Sequence, residues 1–265
     1  MGGAASSRAK VDLREDKKVG GSSSPRVCVV IPAYNASGTL AEVLVGVKEY
    51  VETVIVVDDG STDDTMRVAQ QHGAETLRHP VNRGKGEALK LGFEQAGKLG
   101  FDVVVTLDAD GQHDPREIPH LIKAYRSSGP GTVVLGSRVG QIPMMRTIRQ
   151  WSNRLGTGLI SRFAGHPIED SQTGFRVISV DAWKRAGVRG SRFDAEAEFL
   201  IRACRLGYPL CQVRVCSGRP DGTPTSHYKN FRDTLRIARG VFSAWFRSVW
   251  RRTKPRRSAE RGQKN

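Results

Sequence analysis

The sequence predicts an α/β protein with a doubly wound, mostly parallel sheet flanked by helices, and two observations carry this prediction. Short apolar runs rich in β-branched residues recur at 27–32, 53–57 and 101–105, and each has the length of a buried strand. Amphipathic stretches of helical period, such as 37–50 and 86–98, lie between them. Because strand and helix alternate, the strands are expected to pair in parallel with helices packed on the sheet.

The same rhythm predicts the remaining elements in chain order. We expect further helices at 62–72, 115–127, 180–186 and 194–206, and further strands at 75–79, 132–136, 177–179 and 210–215. Gly73 has the position of a left-handed helix cap. Asp114 and Pro115, followed by Glu117, form a helix start with a capping-box pattern. Residues 139–165 combine apolar and arginine residues and predict a basic, amphipathic helical insert.

Composition divides the chain into three parts. Residues 1–25 are rich in Gly, Ser, Lys and Arg and are expected to form a disordered arm. Residues 26–218 are expected to form the α/β domain, and residues 219–265 are expected to form a C-terminal amphipathic helix with a basic tail. The apolar stripe of that helix consists of Phe231, Leu235, Ala238, Phe242, Trp245, Phe246 and Val249. Arginines lie mainly off the stripe, which is typical of a helix that lies in a membrane interface; the alternative is a stripe that packs on the domain's own core.

The net charge of +15 and the pI near 10.1 indicate an acidic partner, such as nucleic acid, anionic lipid or a phosphate-bearing substrate. Residues 229–265 carry twelve Lys or Arg against two acids, which is two-thirds of the excess. This distribution argues against a nucleic-acid-binding protein, because the basic residues collect in the tail and not along the sheet.

The first residues lack an apolar core of signal-peptide length, and no stretch of the sequence reaches the roughly 18 apolar residues that a membrane span needs. Its four cysteines lack paired metal-ligand spacing, which favours free thiols in a reducing compartment. We expect a cytoplasmic protein that associates peripherally with the inner face of a membrane.

Two aspartates follow the expected strand at 101–105. Alternate residues of an extended chain point the same way, so Asp108 and Asp110 are expected to present two carboxylates together. A strand end followed by a helix start is the ligand crevice of an open α/β sheet. A carboxylate pair there suits Mg²⁺ or Mn²⁺ shared with a diphosphate. The alternative is a polar turn in which both acids only cap a helix.

Other polar residues follow neighbouring strands. Asn35, Asp58, Asp59 and Lys85 are expected to converge with the aspartate pair on one edge of the sheet. A buried acid there can accept hydrogen bonds from a ribose or a base edge, and Lys85 between two glycines can approach an anion closely. Taken singly, Asp59 could be a helix-cap neighbour and Lys85 could be solvated.

Several familiar sites are excluded. No Gly-x-Gly-x-x-Gly follows the first strand, and no serine lies in a Gly-x-Ser-x-Gly elbow. Residues 92–99 match a phosphate-binding loop until Leu99, which replaces the Ser or Thr that would hold Mg²⁺. The six histidines form no ligand cluster. A dinucleotide cofactor and a hydrolase triad are therefore unsupported.

Five ordered motifs carry a family resemblance that runs from about Val27 to Val215. They are Pro32-Ala33-Tyr34-Asn35, Val57-Asp58-Asp59-Gly60-Ser61, Asn82-Arg83-Gly84-Lys85-Gly86, Asp108-Ala109-Asp110-Gly111-Gln112-His113 and Gln172-Thr173-Gly174-Phe175-Arg176. With these motifs the chain resembles family 2 glycosyltransferases of the GT-A fold, in particular dolichyl- or polyprenyl-phosphate sugar synthases of the mannose type. The resemblance implies a nucleotide-sugar donor (GDP-mannose or a UDP-sugar), a divalent metal and an inverting transfer. The Gln-x-x-Arg-Trp motif of processive synthases is absent, which favours transfer of a single sugar.

The resemblance also implies roles for individual residues. Pro32, Tyr34, Asn35, Asp58, Asp59, Lys85 and Gln112 would bind the nucleotide sugar. Asp108, Asp110 and Gln112 would hold metal and diphosphate, and Arg176 would face the phosphates.

The acceptor determines whether a general base is needed. A phosphate monoester is mostly ionised at neutral pH, because its second pKa is about 6. For a hydroxyl acceptor, Asp194, Glu196 and Glu198 are the candidate bases, with Asp194 and Glu198 on one helix face. Arg138, Arg149 and Trp151 are placed to meet an anionic head group with an apolar tail.

Three alternatives to a polyprenyl-phosphate sugar transferase stay open from the sequence. The acceptor could be a hydroxyl group in cell-envelope glycan or glycolipid synthesis. The chain could instead be a basic nucleic-acid-binding protein, or a nucleotide-binding protein without activity.

Overall fold

The computed structural model of the chain describes residues 24–138, 147–192 and 194–216. Most of the expected N-terminal arm at 1–25, the start of the insert at 139–146 and the C-terminal helix and tail at 219–265 lie outside these described residues.

The described elements agree in order and type with the sequence prediction, with boundaries that differ by a few residues. The strands are β1 Val27–Ala33, β2 Val54–Asp58, β3 Glu75–Arg78, β4 Val103–Thr106, β5 Val133–Ser137, β6 Arg176–Ser179 and β7 Leu210–Arg214. The helices are α1 Ser37–Lys48, α2 Thr65–Gln71, α3 Lys85–Lys98, α4 Ile118–Ser128, α5 Thr147–Ala164, α6 Val180–Ala186 and α7 Asp194–Arg205. A 3₁₀ turn at Pro115–Glu117 precedes α4.

The seven strands form one sheet in the order β3-β2-β1-β4-β6-β5-β7. Strand β6 runs antiparallel to both of its neighbours, and the other neighbouring pairs are parallel, which confirms the mostly parallel sheet. Successive strands are added on one side of β1 and then on the other, so the order reverses between β1 and β4. A ligand crevice is expected outside the carboxyl ends of the strands at such a reversal.

Alternating strand residues build a core on each face of the sheet. Val30 and Ile55 pack on one face with Phe93 of α3, in a cluster that also includes residues of α5, α6 and α7. Val29 packs on the other face with Leu44 of α1, in a cluster that includes α4. Both faces are therefore covered by helices, as the apolar strand runs predict.

Local capping explains where several helices begin and end. At the start of α1, the backbone N–H of Ser37 donates to the Asp63 carboxylate at 3.0 Å. Asp114 accepts a hydrogen bond from the Arg116 N–H at 3.0 Å, next to Pro115, which confirms the expected helix start. Gly73 follows α2 with a φ of +63°, as a left-handed cap requires.

None of the helices in the described ranges combines the length and the apolar character that crossing a bilayer needs. All four cysteines lie in the described ranges and are free thiols.

Candidate active site

The polar residues singled out by the sequence follow the carboxyl ends of β1, β2 and β4, which are adjacent strands. Ala33, the last residue of β1, pairs with Asp58, the last residue of β2. Asp108 follows β4, whose Thr106 pairs with Val30 of β1. The sheet therefore brings the loops that carry Asn35, Asp59 and Asp108 to one edge.

Asp59 organises the loop that leads into α3. Its buried carboxylate accepts hydrogen bonds from the backbone N–H groups of Arg83 at 2.9 Å and Gly84 at 2.7 Å. The Nδ1 atom of His79, also buried, lies 2.7 Å from the same carboxylate. Asp59 therefore positions the 82–86 loop and, through it, the first residue of α3.

Asp58 and Asn35 hold the turn after β2. The buried Asp58 carboxylate accepts from the Ser61 N–H at 2.9 Å, and the Nε atom of Arg78 lies 3.3 Å from it. Asn35 has a φ of +48°, and its side-chain oxygen accepts from the Thr62 N–H at 2.9 Å. Asp58 thus makes a contact within its own turn, and Asn35 links the loop after β1 to the loop after β2.

Lys85 lies between two carboxylates that come from distant parts of the chain. Its Nζ atom is 2.6 Å from Asp108 Oδ1 and 3.0 Å from Glu196 Oε2. Burial acts to lower the pKa of Lys85, but the two carboxylates outweigh it and raise that pKa. Burial acts to raise the pKa of Asp108, but the charges of Lys85 and His113 hold it well below its usual range. Lysine and aspartate are therefore both ionised at neutral pH.

Asp110 is harder to ionise than Asp108, because its pKa is raised whereas that of Asp108 is lowered. Burial and then the charge of Asp108 raise its pKa, while a hydrogen bond from the Gln112 N–H at 3.0 Å acts in the opposite direction. Strand β4 ends at Thr106, so both aspartates lie in the loop after the strand, with Asp110 in a turn, and not on the extended chain that the sequence suggested. The charge of Asp108 acts on Asp110. That the two carboxylates point the same way stays a prediction.

Gly174 forms the wall against which Asp108 packs. A Cβ atom at this position would lie 2.6 Å from Asp108 Cγ, so a larger residue would displace the carboxylate. The carbonyl of Gly174 accepts a hydrogen bond from Thr106 Oγ1 at 2.7 Å, which ties the 172–176 motif to the end of β4.

Arg176 does not occupy the position that the resemblance implied. It is only 1% exposed, and its guanidinium donates to the backbone carbonyls of Thr173 at 2.8 Å, Glu196 at 3.1 Å and Ser171 at 2.9 Å. The expectation that Arg176 faces the phosphates is therefore not supported, because its donors are directed at the protein's own backbone.

With this geometry described, comparison with known proteins decides the family. The model of the family described as glycosyl transferase family 2 matches residues 28–187, which is more than half of the chain. The chain belongs to glycosyl transferase family 2. It is an enzyme, a glycosyltransferase.

Two curated relatives cover most of this glycosyltransferase. The undecaprenyl-phosphate mannosyltransferase of Micrococcus luteus is 30% identical, over 72% of the chain and 82% of the relative. The UDP-N-acetylglucosamine–dolichyl-phosphate N-acetylglucosaminyltransferase of Methanococcus voltae is 29% identical, over 67% of the chain and 79% of the relative.

Solved structures confirm the GT-A fold. Mannosyl-3-phosphoglycerate synthase from Rubrobacter xylanophilus matches with a TM-score of 0.65 at 18% identity, over 90% of the chain and 79% of that protein. Glucosyl-3-phosphoglycerate synthase from Mycobacterium tuberculosis, in a complex with Mn²⁺ and UDP-glucose, matches with a TM-score of 0.61 at 23% identity, over 84% of the chain and 78% of that protein.

The three acids of α7 in this glycosyltransferase have different surroundings. Asp194, the first of the three base candidates, accepts a hydrogen bond at 2.9 Å from the Arg192 N–H, just before α7. Glu198 accepts from the N–H groups of Arg189 at 2.9 Å and Gly190 at 2.8 Å. Glu196 instead contacts Lys85, so Glu196 is the α7 acid that the fold brings to Asp108. Helical spacing grouped Asp194 with Glu198 and could not have found this contact, which depends on where α3 lies.

Arg138 directly follows β5. Its Nε atom is 2.9 Å from the buried Asp170 carboxylate. Burial acts to lower the pKa of Arg138, but Asp170 first, and then Asp108 and Asp110, raise it. Arg149 and Trp151 belong to α5, but their side chains lie outside the described part of the chain.

The side chains that could coordinate a metal ion determine whether a divalent cation fits this site. Within the described ranges, no three or more His, Cys, Asp or Glu side chains are grouped to hold an ion by themselves. Mg²⁺, however, is commonly held by one or two carboxylates together with substrate phosphates and water. Asp108 raises the pKa of Asp110, and a bound cation would relieve this repulsion between like charges. The pair therefore fits a divalent cation that a diphosphate helps to bind.

Proposed function

We propose that this glycosyltransferase transfers one sugar, with inversion, from a nucleotide-sugar donor to a polyprenyl phosphate of the dolichyl type. The donor would be GDP-mannose or a UDP-sugar. The observation that carries the proposal is the cluster of Lys85, Asp108 and Asp110 at the crevice, next to the loop that Asp59 positions. The names of the relatives from Micrococcus luteus and Methanococcus voltae, which mention undecaprenyl and dolichyl phosphate, support this acceptor class.

Charge is the central problem of the reaction, because cleavage of the sugar–phosphate bond leaves an anionic nucleoside diphosphate. Asp108, Asp110 and Gln112 would hold Mg²⁺ or Mn²⁺, which supplies positive charge to the leaving group when bound. The Lys85 ammonium lies 2.6 Å from the Asp108 carboxylate, and it would supply a second positive charge to the leaving diphosphate.

The nucleotide would lie over the ends of β1 and β2. Pro32 and Tyr34 are half-buried there, beside the turn that Asn35 and Asp58 stabilise. In this proposal Asp58 and Asn35 act by fixing the turn, and Asp59 acts by fixing the loop before Lys85.

The acceptor would approach from the side of β5 and α5. Arg138 is paired with Asp170, and the charges of Asp108 and Asp110 also act on it. We propose that its guanidinium binds the acceptor phosphate. Arg149 and Trp151 of α5 are proposed to contact the acceptor as well. An ionised phosphate is its own nucleophile, so Asp194, Glu196 and Glu198 need not act as a base.

A lipid acceptor requires the enzyme to reach a membrane surface, and residues 219–265 are proposed to dock it on anionic lipid at the cytoplasmic face. Each basic residue near such a surface contributes about 1 kcal/mol. The intact protein should float with anionic vesicles at low salt and be released as salt rises. Deletion of residues 230–265 should abolish flotation and leave a folded domain; an unfolded truncation, or an intact protein that ignores the vesicles, would refute this part.

The experiment that tests the proposal is a transfer assay with radiolabelled nucleotide sugars. The protein is incubated with each donor, Mg²⁺ or Mn²⁺ and polyprenyl phosphate, and the lipid phase is extracted. We expect label in the lipid with one donor only, and only when metal is present. Label that reaches a hydroxyl acceptor but not the lipid phosphate would support the alternative acceptor class.

A further inference from the structure

Lys85 is shared between Asp108, the proposed metal ligand, and a second acid, Glu196. The two carboxylates belong to the loop after β4 and to α7, and each lies within 3.0 Å of the ammonium. Because the Lys85 side chain is largely enclosed, its charge needs a carboxylate partner at all times.

Glu196 is itself held firmly in place. Its side chain is buried, its backbone carbonyl accepts a hydrogen bond from Arg176 Nη1 at 3.1 Å, and Arg176 Nη2 lies 3.8 Å from its Oε1 atom. The Arg176 guanidinium thus fixes both the backbone and the carboxylate of Glu196. This gives the buried arginine a role: it holds the acid that faces Lys85.

A divalent cation and the Lys85 ammonium compete for Asp108, since two positive charges on one carboxylate repel each other. Glu196 gives Lys85 an anion to which it can move without being left unpaired in a buried site. We propose that Glu196 is a positioning residue that accepts Lys85 when Asp108 takes the metal, and so sets the metal affinity of the site. This inference rests on the metal dependence in the proposed function.

The proposal predicts how metal affinity responds to substitution. Glu196→Gln keeps the size of the side chain but removes its charge, so Lys85 stays on Asp108, and Mn²⁺ affinity should fall by about tenfold or more. Glu196→Asp keeps the charge and should show a smaller loss. In the double variant with Lys85→Met the competing ammonium is absent, so Mn²⁺ affinity should recover relative to Glu196→Gln alone.

The experiment is a titration of the full-length protein with MnCl₂ alone, with free Mn²⁺ read by electron paramagnetic resonance. Glu198→Gln is the matched control, since Glu198 is also a buried acid of α7 but contacts the 189–190 loop, and its affinity should equal that of the wild type. The thermal melting temperature of each variant is measured alongside.

The outcomes separate this inference from the proposed function. Unchanged affinity in Glu196→Gln would overturn the inference and leave the proposed function intact. A double variant that binds as weakly as Glu196→Gln, or an equal loss in Glu198→Gln, would also overturn it, because the effect would then come from the packing of α7. A wild-type protein that does not bind Mn²⁺ would refute the metal dependence in the proposed function and this inference with it.

Discussion

The Lys85 ammonium lies 2.6 Å from the Asp108 carboxylate, and this contact joins the start of α3 to the loop after β4. Lys85→Met keeps the apolar stem and removes the charge that is available to the leaving diphosphate. We expect the transfer rate to fall roughly 10²–10³-fold, as is typical when one electrostatic contact to developing charge is lost.

Lys90→Met is the matched control for this substitution. Lys90 is on the same helix, and its Nζ atom contacts Glu87 at 2.8 Å and the Arg189 carbonyl at 3.0 Å, away from Asp108. Lys90→Met should transfer sugar at nearly the wild-type rate. Equal rate losses in both variants would mean that a disturbance of α3 as a whole, and not the loss of the Lys85 charge, lowers the transfer rate.

Gly174→Ala tests whether the wall behind Asp108 matters for activity. The added Cβ would lie 2.6 Å from Asp108 Cγ, so the carboxylate must shift and transfer should fall at least tenfold, while far-UV circular dichroism stays unchanged. Gly158→Ala is the control, because a Cβ there meets nothing within 4 Å and should leave the transfer rate unaltered. A fully active Gly174→Ala enzyme would contradict the packing described for Asp108.

Arg176→Met tests the finding that this arginine is structural. The substitution leaves three backbone carbonyls and the Glu196 carboxylate without their guanidinium partner, and unfolding free energy should fall by about 3–5 kcal/mol. Arg162→Met, at an exposed position of α5, should change it little. Urea denaturation measures both. A stable Arg176→Met protein that has lost only donor binding would restore the original expectation that Arg176 faces the phosphates.

Asp63 gives the fold a predictable pH dependence. Burial acts to raise its pKa, but hydrogen bonds from Thr65 and Ser37 outweigh it and lower the pKa from 3.8 to about 2. A lowered folded-state pKa contributes stability that is present above 3.8 and is lost as the pH falls towards 2. The melting-temperature difference between wild type and Asp63→Asn should therefore be largest above pH 4 and shrink between pH 4 and pH 2. A difference that stays constant over this range would show that the carboxylate charge is not involved.

The order of elements and the edge that carries the site could be predicted because both depend on local patterns. Buried β-branched runs predict strands, and the carboxyl ends of adjacent parallel strands must meet, so Asn35, Asp58 and Asp108 were expected together. The antiparallel direction of β6 was not predicted, because the run 177–179 has the same composition whichever way it pairs.

Contacts between distant segments could not be predicted, because local sequence patterns do not show which segments meet in the fold. Glu196 is over 100 residues from Lys85 in sequence, and helical spacing separates it from Asp194 and Glu198 without showing which of these acids meets Lys85. The motif that contains Arg176 was recognised correctly, and the family resemblance implied that Arg176 faces the phosphates, whereas its hydrogen bonds stabilise the backbone around Glu196. Burial of a charged residue is a tertiary property that the sequence does not reveal.

The measurement that tests the account most directly is metal-dependent transfer of labelled sugar to polyprenyl phosphate by the wild type, Asp108→Asn and Asp110→Asn at saturating metal. Asp114→Asn, which changes a capping aspartate of the same loop, is the control and should stay active. The account predicts that both site variants lose roughly 10²–10³-fold in rate. Near-normal turnover in both would contradict the assignment of this aspartate pair as the catalytic centre.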